Sequence, residues 1–258
     1  MVRDTTGSLY GTTFEGGANS SACDYFGIPT TCGVVFKLSL TGTETVLHSF
    51  TGSDGGNPWA GLLRDTAGNL YGTTANGGAF GNGVVFELIR CDTAASGYEF
   101  KVLHSFTGGA DGGHPLGSLL RDAAGNLYGT TVNGGAKSSA CTYFFGNTTC
   151  GVVFKLSPTG TETVLHTFTG GAEGGNPYYA GLIPDATGNL YGTAVHGGAD
   201  GNGVVFKLGP TGTETVLYSF NGGDDGANPL AGLVRDTTGS LYGTTFEGGA
   251  NSSACDYF

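Results

Sequence analysis

Carboxylate, amide and aromatic side chains recur together in four short, glycine-rich segments of the chain. The segments are Asp54-Gly-Gly-Asn57-Pro-Trp59, Asp111-Gly-Gly-His114, Glu173-Gly-Gly-Asn176-Pro-Tyr178-Tyr179 and Asp224-Asp225-Gly-Ala-Asn228. Aromatic rings such as these could stack on sugar rings or pack against a partner surface. They could equally shield the centre of the fold. We take as candidate binding residues Asn57, Trp59, His114, Asn176, Tyr178, Tyr179 and Asn228.

The carboxylates of these segments are candidate ligands for calcium. Oxygen ligands could come from their side chains and from neighbouring carbonyl groups. Each segment has too few carboxylates for an EF-hand-like site, and a tight turn explains the Asp-Gly-Gly pattern better. The sequence therefore predicts no cofactor and no firm metal site. Calcium stays open at five positions: Asp54, Asp111, Glu173, Asp224 and Asp225.

The six cysteines point to disulfide chemistry. Cys23 and Cys32 lie nine residues apart, and so do Cys141 and Cys150. This matched spacing predicts two equivalent disulfide loops in an oxidising compartment. Zinc is the rival interpretation, but no CxxC motif or nearby histidine set supports it. Cys255 repeats the position of Cys23.

Catalytic motifs are absent from the sequence, which contains no GxSxG, HExxH, P-loop or CxxC pattern. A carboxylate pair assembled from distant parts of the fold, as in a polysaccharide-active enzyme, stays an alternative. The net charge of −11 and the pI of about 4.6 oppose binding to nucleic acid or to an anionic membrane. No stretch approaches the length of a transmembrane helix.

Internal repeats determine which elements carry these side chains. The motif LYGT recurs at Leu9, Leu70, Leu127, Leu190 and Leu241. GVVF followed by Lys or Glu and Leu recurs four times, as does VLHSF or a close variant. Each unit therefore holds four short runs of strand length, AGLLRD, NLYGTT, GVVFEL and FKVLHSF in the second unit, separated by turn residues.

Four antiparallel strands per unit, repeated around an axis, predict an all-β fold of the β-propeller type. A β-solenoid is the alternative, although its coils are usually shorter than these units. The predicted blades span about residues 1–53, 54–110, 111–173 and 174–226, and a partial fifth unit spans 227–258. In such a blade, the loop before the first strand and the loop between the second and third strands emerge on one face. The candidate binding residues and the cysteine loops would share that face.

Residues that recur in every unit are expected to be structural. His48, His104 and His166 occupy one such column, in which Tyr218 replaces them in the fourth unit. The column of Lys37, Lys155 and Lys207 is expected to be solvated. Glu44, Glu162 and Glu214 follow TG turns and are expected to be polar hairpin residues.

The pattern P-x-A-G-L-x-R-D-x-x-G-N-L-Y-G-T-T, then G-V-V-F-K-L and T-G-T-E-T-V-L-H-S-F, resembles the GloVer tandem repeat of bacterial surface proteins of the choice-of-anchor type. The hairpin D-x-x-G-N-L-Y is also similar to blades of NHL-type propellers. The first resemblance covers nearly the whole chain. It implies a secreted or surface-anchored repeat protein and supplies no catalytic residues.

The two ends carry the same sequence, because residues 2–26 and 234–258 match at all 25 positions. Met1 aligns with Leu233, in the middle of a predicted strand. We expect from this that the chain is part of a longer repeat array.

These observations favour a non-catalytic, extracellular repeat domain that serves surface display, adhesion, or binding of a glycan or surface protein. The alternatives are a polysaccharide-active propeller enzyme and a structural stalk or filament unit that self-associates into a larger array. Neither nucleic-acid binding nor membrane insertion is expected of this segment.

Overall fold

The computed structural model describes residues 1–24, 30–141, 148–179 and 181–249. Within these residues the chain is almost entirely β, with eighteen strands in four four-stranded sheets and one two-stranded sheet. In every sheet the strands follow chain order and pair antiparallel. The fold is therefore a β-propeller-type array of four-stranded blades, as the repeats predict.

The strands fall into consecutive groups of four, here named blades one to four, followed by a fifth unit. Blade one contains β1 (Val2–Arg3), β2 (Leu9–Thr13), β3 (Val34–Leu38) and β4 (Glu44–Ser49). Blade two contains β5 (Leu63–Arg64), β6 (Leu70–Thr74), β7 (Val84–Arg90) and β8 (Tyr98–Ser105). Blade three contains β9 (Leu120–Arg121), β10 (Leu127–Thr131), β11 (Val152–Leu156) and β12 (Glu162–Thr167). Blade four contains β13 (Ile183–Pro184), β14 (Leu190–Ala194), β15 (Val204–Leu208) and β16 (Glu214–Ser219), and the fifth unit contains β17 (Val234–Arg235) and β18 (Leu241–Tyr242). Two 3₁₀ turns, Ser21–Cys23 and Ser139–Cys141, lie in the loops of blades one and three.

The first strand of each blade is shorter than predicted. Only two residues of AGLLRD, Leu63 and Arg64, pair with β6. The strand ends there because Asp65 starts the turn: its carbonyl accepts from Gly68 N and its Oδ1 accepts from Asn69 N. Gly68 has a φ of +95°, which glycine adopts without steric cost.

The second and third strands form the centre of each blade. β6 pairs with β7 from Leu70 opposite Leu88 to Thr74 opposite Val84, and all five β6 residues are buried. The ladder between the third and fourth strands shifts register in every blade, in blade two between Val85 and Phe86. Such a bulge increases the local twist that lets neighbouring blades fan around an axis.

Neighbouring blades bury apolar faces against each other. At each of the three blade junctions, a phenylalanine that follows a fourth strand meets the phenylalanine of the next blade's third strand. The ring pairs are Phe50–Phe86 at 5.3 Å, Phe106–Phe154 at 5.1 Å and Phe168–Phe206 at 5.3 Å. All six rings are fully buried. Since both faces of blades two and three are covered in this way, their third strands are apolar on both sides.

Candidate binding face

Four aromatic rings from three blades meet at one face. Three of them come from the loops before the first strands of blades two and four, and Phe14 comes from the loop between β2 and β3 of blade one. Trp59 of the blade-two loop stacks on Tyr179 of the blade-four loop, with ring centroids 5.4 Å apart and an interplanar angle of 18°. Tyr178 packs edge-on against Tyr179 at 4.5 Å, and Phe14 packs edge-on against Trp59 at 4.7 Å. We name Phe14, Trp59, Tyr178 and Tyr179 the aromatic platform.

The aromatic platform has a buried side and an exposed side. Tyr178 is 8% exposed and belongs to a buried cluster with Leu116, Val132 and Val195. Trp59 is 41% exposed. The rings therefore cover an apolar cluster shared by several blades, and one of them also presents a large aromatic surface to solvent.

Phe14 was not among the sequence candidates. It occupies the position after LYGTT, where the other described units have Ala75, Val132, Val195 and Phe246. The variation in that column is the signal that could have identified it, because the LYGT residues just before it are the same in every unit.

The candidate amides lie beneath this face and join consecutive units. The Asn57 side chain is fully buried, and its Nδ2 donates to the carbonyl oxygens of Phe14 and Thr31, both at 3.1 Å. Asn176 is also fully buried and donates to Val132 O at 2.8 Å and Thr149 O at 2.9 Å. Each amide thus ties the loop of one blade to the loop between the second and third strands of the preceding blade.

His114 and Asn228 hold the equivalent positions in the other two junctions. His114 Nδ1 hydrogen-bonds Ala75 O at 2.8 Å, and burial lowers the pKa of this imidazole. Asn228 is half-buried, and its backbone N donates to Asn202 O at 2.9 Å. All four residues have positive φ, between 52° and 55°. Asparagine and histidine tolerate this conformation better than most residues, which explains their use here.

The carboxylates of the same loops close the turn that follows each fourth strand. Asp54 accepts from Thr51 N at 2.8 Å and contacts His48 Nε2 at 3.0 Å. Burial would raise the pKa of Asp54, but the hydrogen bonds from His48 and Thr51 outweigh it and lower the pKa. Asp111 and Glu173 accept from the equivalent amides, Thr107 N and Thr169 N.

In the fourth unit Asp225 takes this role. It accepts from Asn221 N and from Tyr218 OH, the latter at 2.8 Å, so tyrosine replaces histidine as the carboxylate's partner. Asp224 beside it is exposed. No group of three or more His, Cys, Asp or Glu side chains is arranged to hold a metal ion within the described residues.

The cysteine loops lie next to the same loops. Cys23–Cys32 and Cys141–Cys150 are disulfide-bonded, with Cα–Cα distances of 5.1 and 5.2 Å, which confirms the pairing predicted from their spacing. Asn57 N donates to Cys32 O at 2.8 Å, and Asn176 N donates to Cys150 O at 2.7 Å. Each disulfide thus anchors the loop that carries aromatic platform residues. Cys255 lies outside the described residues.

Two of the three glutamates in the repeated column differ from their expected hairpin role, whereas Glu44 is exposed. Glu162 and Glu214 lie at the start of β12 and β16, and each has one carboxylate oxygen that is buried without a hydrogen-bond partner. Burial first, and then the charge of Asp111 or Glu173, respectively, raises the pKa of both to about 7. These carboxyls lie at blade junctions, where the turn carboxylate of the preceding loop repels them.

Two lysines of the repeated column contact a tyrosine ring while they remain partly exposed. Lys37 Nζ lies over the Tyr10 ring at 5.8 Å, and Lys155 Nζ lies over the Tyr128 ring at 5.7 Å. Cation–π contacts of this kind add modestly to blade packing.

Among the described residues, no helix has the length and apolar character needed to cross a membrane.

Several solved structures resemble the chain at low sequence identity, and some of them are described as enzymes. A protein from Bacteroides uniformis provisionally assigned as a 6-phosphogluconolactonase is 17% identical, with a TM-score of 0.49 over 90% of this chain and 59% of its own. A gluconolactonase from Xanthomonas campestris is 12% identical, with a TM-score of 0.46 over 82% of this chain and 62% of its own. A GH43 β-xylosidase/α-arabinofuranosidase from a compost metagenome is 12% identical, with a TM-score of 0.44 over 92% of this chain and 91% of its own.

The chain thus spans less than two thirds of the length of either lactonase-type protein. Similarity at this level gives no basis for transferring an activity. No curated protein matches the chain.

The comparison with family models, unlike the similarity to solved structures, assigns the chain to a family. The model of the Gloeobacter/Verrucomicrobia repeat matches residues 1–145 and again residues 139–254, in tandem. These two matches include all four blades and most of the fifth unit, and they agree with the repeat motifs and the blade architecture. The chain belongs to the Gloeobacter/Verrucomicrobia repeat family.

Proposed function

We propose that this chain is a non-catalytic adhesion domain on the outside of the cell and that it binds glycans through the aromatic platform. The observation that carries the proposal is Trp59, which is 41% exposed although it is stacked on Tyr179 and packed by Phe14. A large ring held in a fixed orientation at the surface binds a flat apolar face at little entropic cost.

The electrostatics favour neutral glycans among the candidates. The net charge of −11 repels polyanions such as nucleic acids and acidic polysaccharides. The face of a neutral sugar ring carries no charge and can pack against an indole or phenol ring. Neutral polysaccharides are therefore the ligand class that fits both the aromatic platform and the charge.

A binding role also suits the carboxylates of the same face. Asp54 and Asp225 are each engaged by backbone N–H groups and by the His48 or Tyr218 side chain. A glycosidase needs one carboxyl group to donate a proton and a second to attack or activate water. Turn-closing carboxylates held in this way are poorly placed for either task. Two disulfides support a location outside the reducing cytoplasm.

An array of neutral glycans tests the proposal, with the purified chain compared with Trp59→Ala. We expect binding to at least one glycan, and a loss of about tenfold or more in the variant because a central aromatic contact is removed. Leu40→Ala is the matched control: Leu40 is 73% exposed but lies in the turn between β3 and β4. It should bind as the unsubstituted chain does.

A reducing-sugar assay on each bound polysaccharide separates binding from turnover. Sugar release that disappears in a single carboxylate variant would replace the proposal with the enzyme alternative. Absence of glycan binding, or binding that Trp59→Ala leaves unchanged, would refute the role of the aromatic platform.

A further inference from the structure

Two further phenylalanines occupy the positions that form the ring contact at the three blade junctions, but they are not paired with each other. Phe220 follows β16 as Phe50, Phe106 and Phe168 follow their fourth strands. Phe36 is the third-strand phenylalanine of blade one, equivalent to Phe86. Both rings are only half-buried, whereas the six paired rings are fully buried. Among the described residues, neither takes part in a ring pair of the junction type.

Phe36 belongs to an apolar face of blade one that no described blade covers. Val34, Phe36 and Leu38 on this face are half-buried, and Val46 is 45% exposed. Their blade-two equivalents Val84, Phe86 and Leu88 are all fully buried against blade one. The sequence of this face is thus the one that packs on a preceding blade elsewhere in the molecule.

Phe220 lines the complementary opening on blade four. A cavity of about 370 Å³ separates blade four from the fifth unit. Its apolar lining residues include Val205, Leu217, Phe220, Leu233 and Leu241. Leu217 is 45% exposed, whereas its blade-one equivalent Leu47 is 6% exposed. The cavity lies where a third strand with its phenylalanine would pack on blade four.

We propose that blade one of a second copy of this chain docks on blade four, pairing its Phe36 with Phe220. Residues 2–26, which begin blade one, are identical to residues 234–258 of the fifth unit. An incoming blade one can therefore repeat the packing of β17 and β18 on blade four with the same residues. It also brings β3 and β4, which would occupy the cavity and pack on blade four as the third and fourth strands do at the other blade junctions.

The exchange adds apolar burial, which offsets the entropy lost when two copies associate. When β17 and β18 are displaced from blade four, identical side chains of the incoming blade restore their packing. The apolar faces around Phe36 and Leu217 then leave water, at about 25 cal/mol per Å². Each copy has one face of each kind, so the contact is heterologous and joins copies head to tail into an open array. The proposal is independent of the aromatic platform.

Sedimentation velocity over a concentration series tests this with two variants that each spoil one face. Phe36→Asp charges the blade-one face, and Leu217→Asp charges the blade-four face. We expect the unsubstituted chain to form concentration-dependent species larger than a dimer, and each variant alone to be monomeric. An equimolar mixture of the two should form dimers and nothing larger, since one intact face of each kind remains in the mixture.

Circular dichroism of each variant shows whether it is folded. Phe80→Asp is the control for an added charge, because Phe80 is 60% exposed in the loop between β6 and β7 of blade two, away from both faces. A monomeric unsubstituted chain at every soluble concentration would overturn the proposal; its faces would then be closed within one chain or by flanking repeats. Association that survives both variants, or mixtures that fail to dimerise, would overturn it as well.

Discussion

The ring of Phe86 lies directly over Gly72 of the neighbouring strand. A Cβ atom added to Gly72 would lie 2.5 Å from Phe86 Cζ, a distance that real Cβ contacts do not show. The same relationship recurs between Gly11 and Phe36, Gly129 and Phe154, and Gly192 and Phe206. The glycine of the LYGT motif in blades one to four therefore leaves space for the third-strand phenylalanine, and its backbone needs no positive φ. In blades two to four this phenylalanine is the ring that packs at the blade junction.

Gly72→Ala should destabilise the fold by about 1–3 kcal/mol, as overpacking of a fully buried site does. Gly11→Ala should cost less, because the Phe36 ring beneath it is half-buried and can move. Gly171→Ala, where the nearest atom would be 3.8 Å away, should be close to neutral. Urea unfolding of the three variants gives the order, and equal losses at Gly72 and Gly171 would contradict it.

The blades were predictable from the sequence because each repeats the same local signals. The run Leu70–Thr74 is a strand bounded by the Asp65 turn, as its β-branched and aromatic composition indicates. The contact between Trp59 and Tyr179 was not predictable. The two residues are 120 positions apart in the sequence, and their stacking depends on how blades two and four are arranged around the axis. No periodicity encodes that arrangement.

The burial of side chains that face a blade junction was also not predictable from the sequence. Glu162 follows a hairpin turn and reads as a solvent-exposed polar residue, yet one of its oxygens is buried. The preceding blade buries this oxygen, and the residues of that blade lie outside the local sequence pattern around Glu162. Phe100 occupies the same column in blade two and stacks on His48 at 3.7 Å, so one position accepts a carboxyl or a ring according to its neighbour.

Asn57 should be more sensitive to alanine than to glycine. Either change removes the buried donors to Phe14 O and Thr31 O, which costs about 1–3 kcal/mol. Alanine adds backbone strain at a φ of +55°, whereas glycine does not. Thermal unfolding of Asn57→Gly and Asn57→Ala measures both effects. Equal stability of the two variants would show that the left-handed conformation carries no cost here.

Removing one disulfide should loosen the loop that it anchors and little else. We expect Cys141→Ser with Cys150→Ser to lower stability by about 2–3 kcal/mol, the range for short closed loops. Proteolysis should then cut first near residues 141–150. Reduction of the unfolded native chain should expose four further thiols, two from each bridge. An unchanged thiol count on reduction would contradict the pairing.

Glu162 should make stability fall as the pH rises through neutrality. Its pKa is raised to about 7 by burial first and by Asp111 second, while the unfolded chain keeps the ordinary value of 4.5. The folded state therefore binds a proton that the unfolded state has lost between pH 4.5 and about 7, and the penalty grows across that window. Above it, the ionised carboxyl is repelled by Asp111. Asp111 itself lies 3.5 Å from the imidazole of His104, whose pKa is lowered by burial.

Glu162→Gln should consequently be more stable than the unsubstituted chain at pH 8 and indistinguishable from it near pH 4. His104 is present in both proteins. The stability that the fold loses when this imidazole is protonated, below its ordinary pKa of 6.5, therefore cancels in the comparison. Glu44→Gln is the matched control, because Glu44 occupies the same column in blade one but is exposed. Urea midpoints at pH 4, 6 and 8 provide the measurement. A constant difference between Glu162→Gln and the unsubstituted chain would mean that the carboxyl stays ionised in the folded state throughout this range.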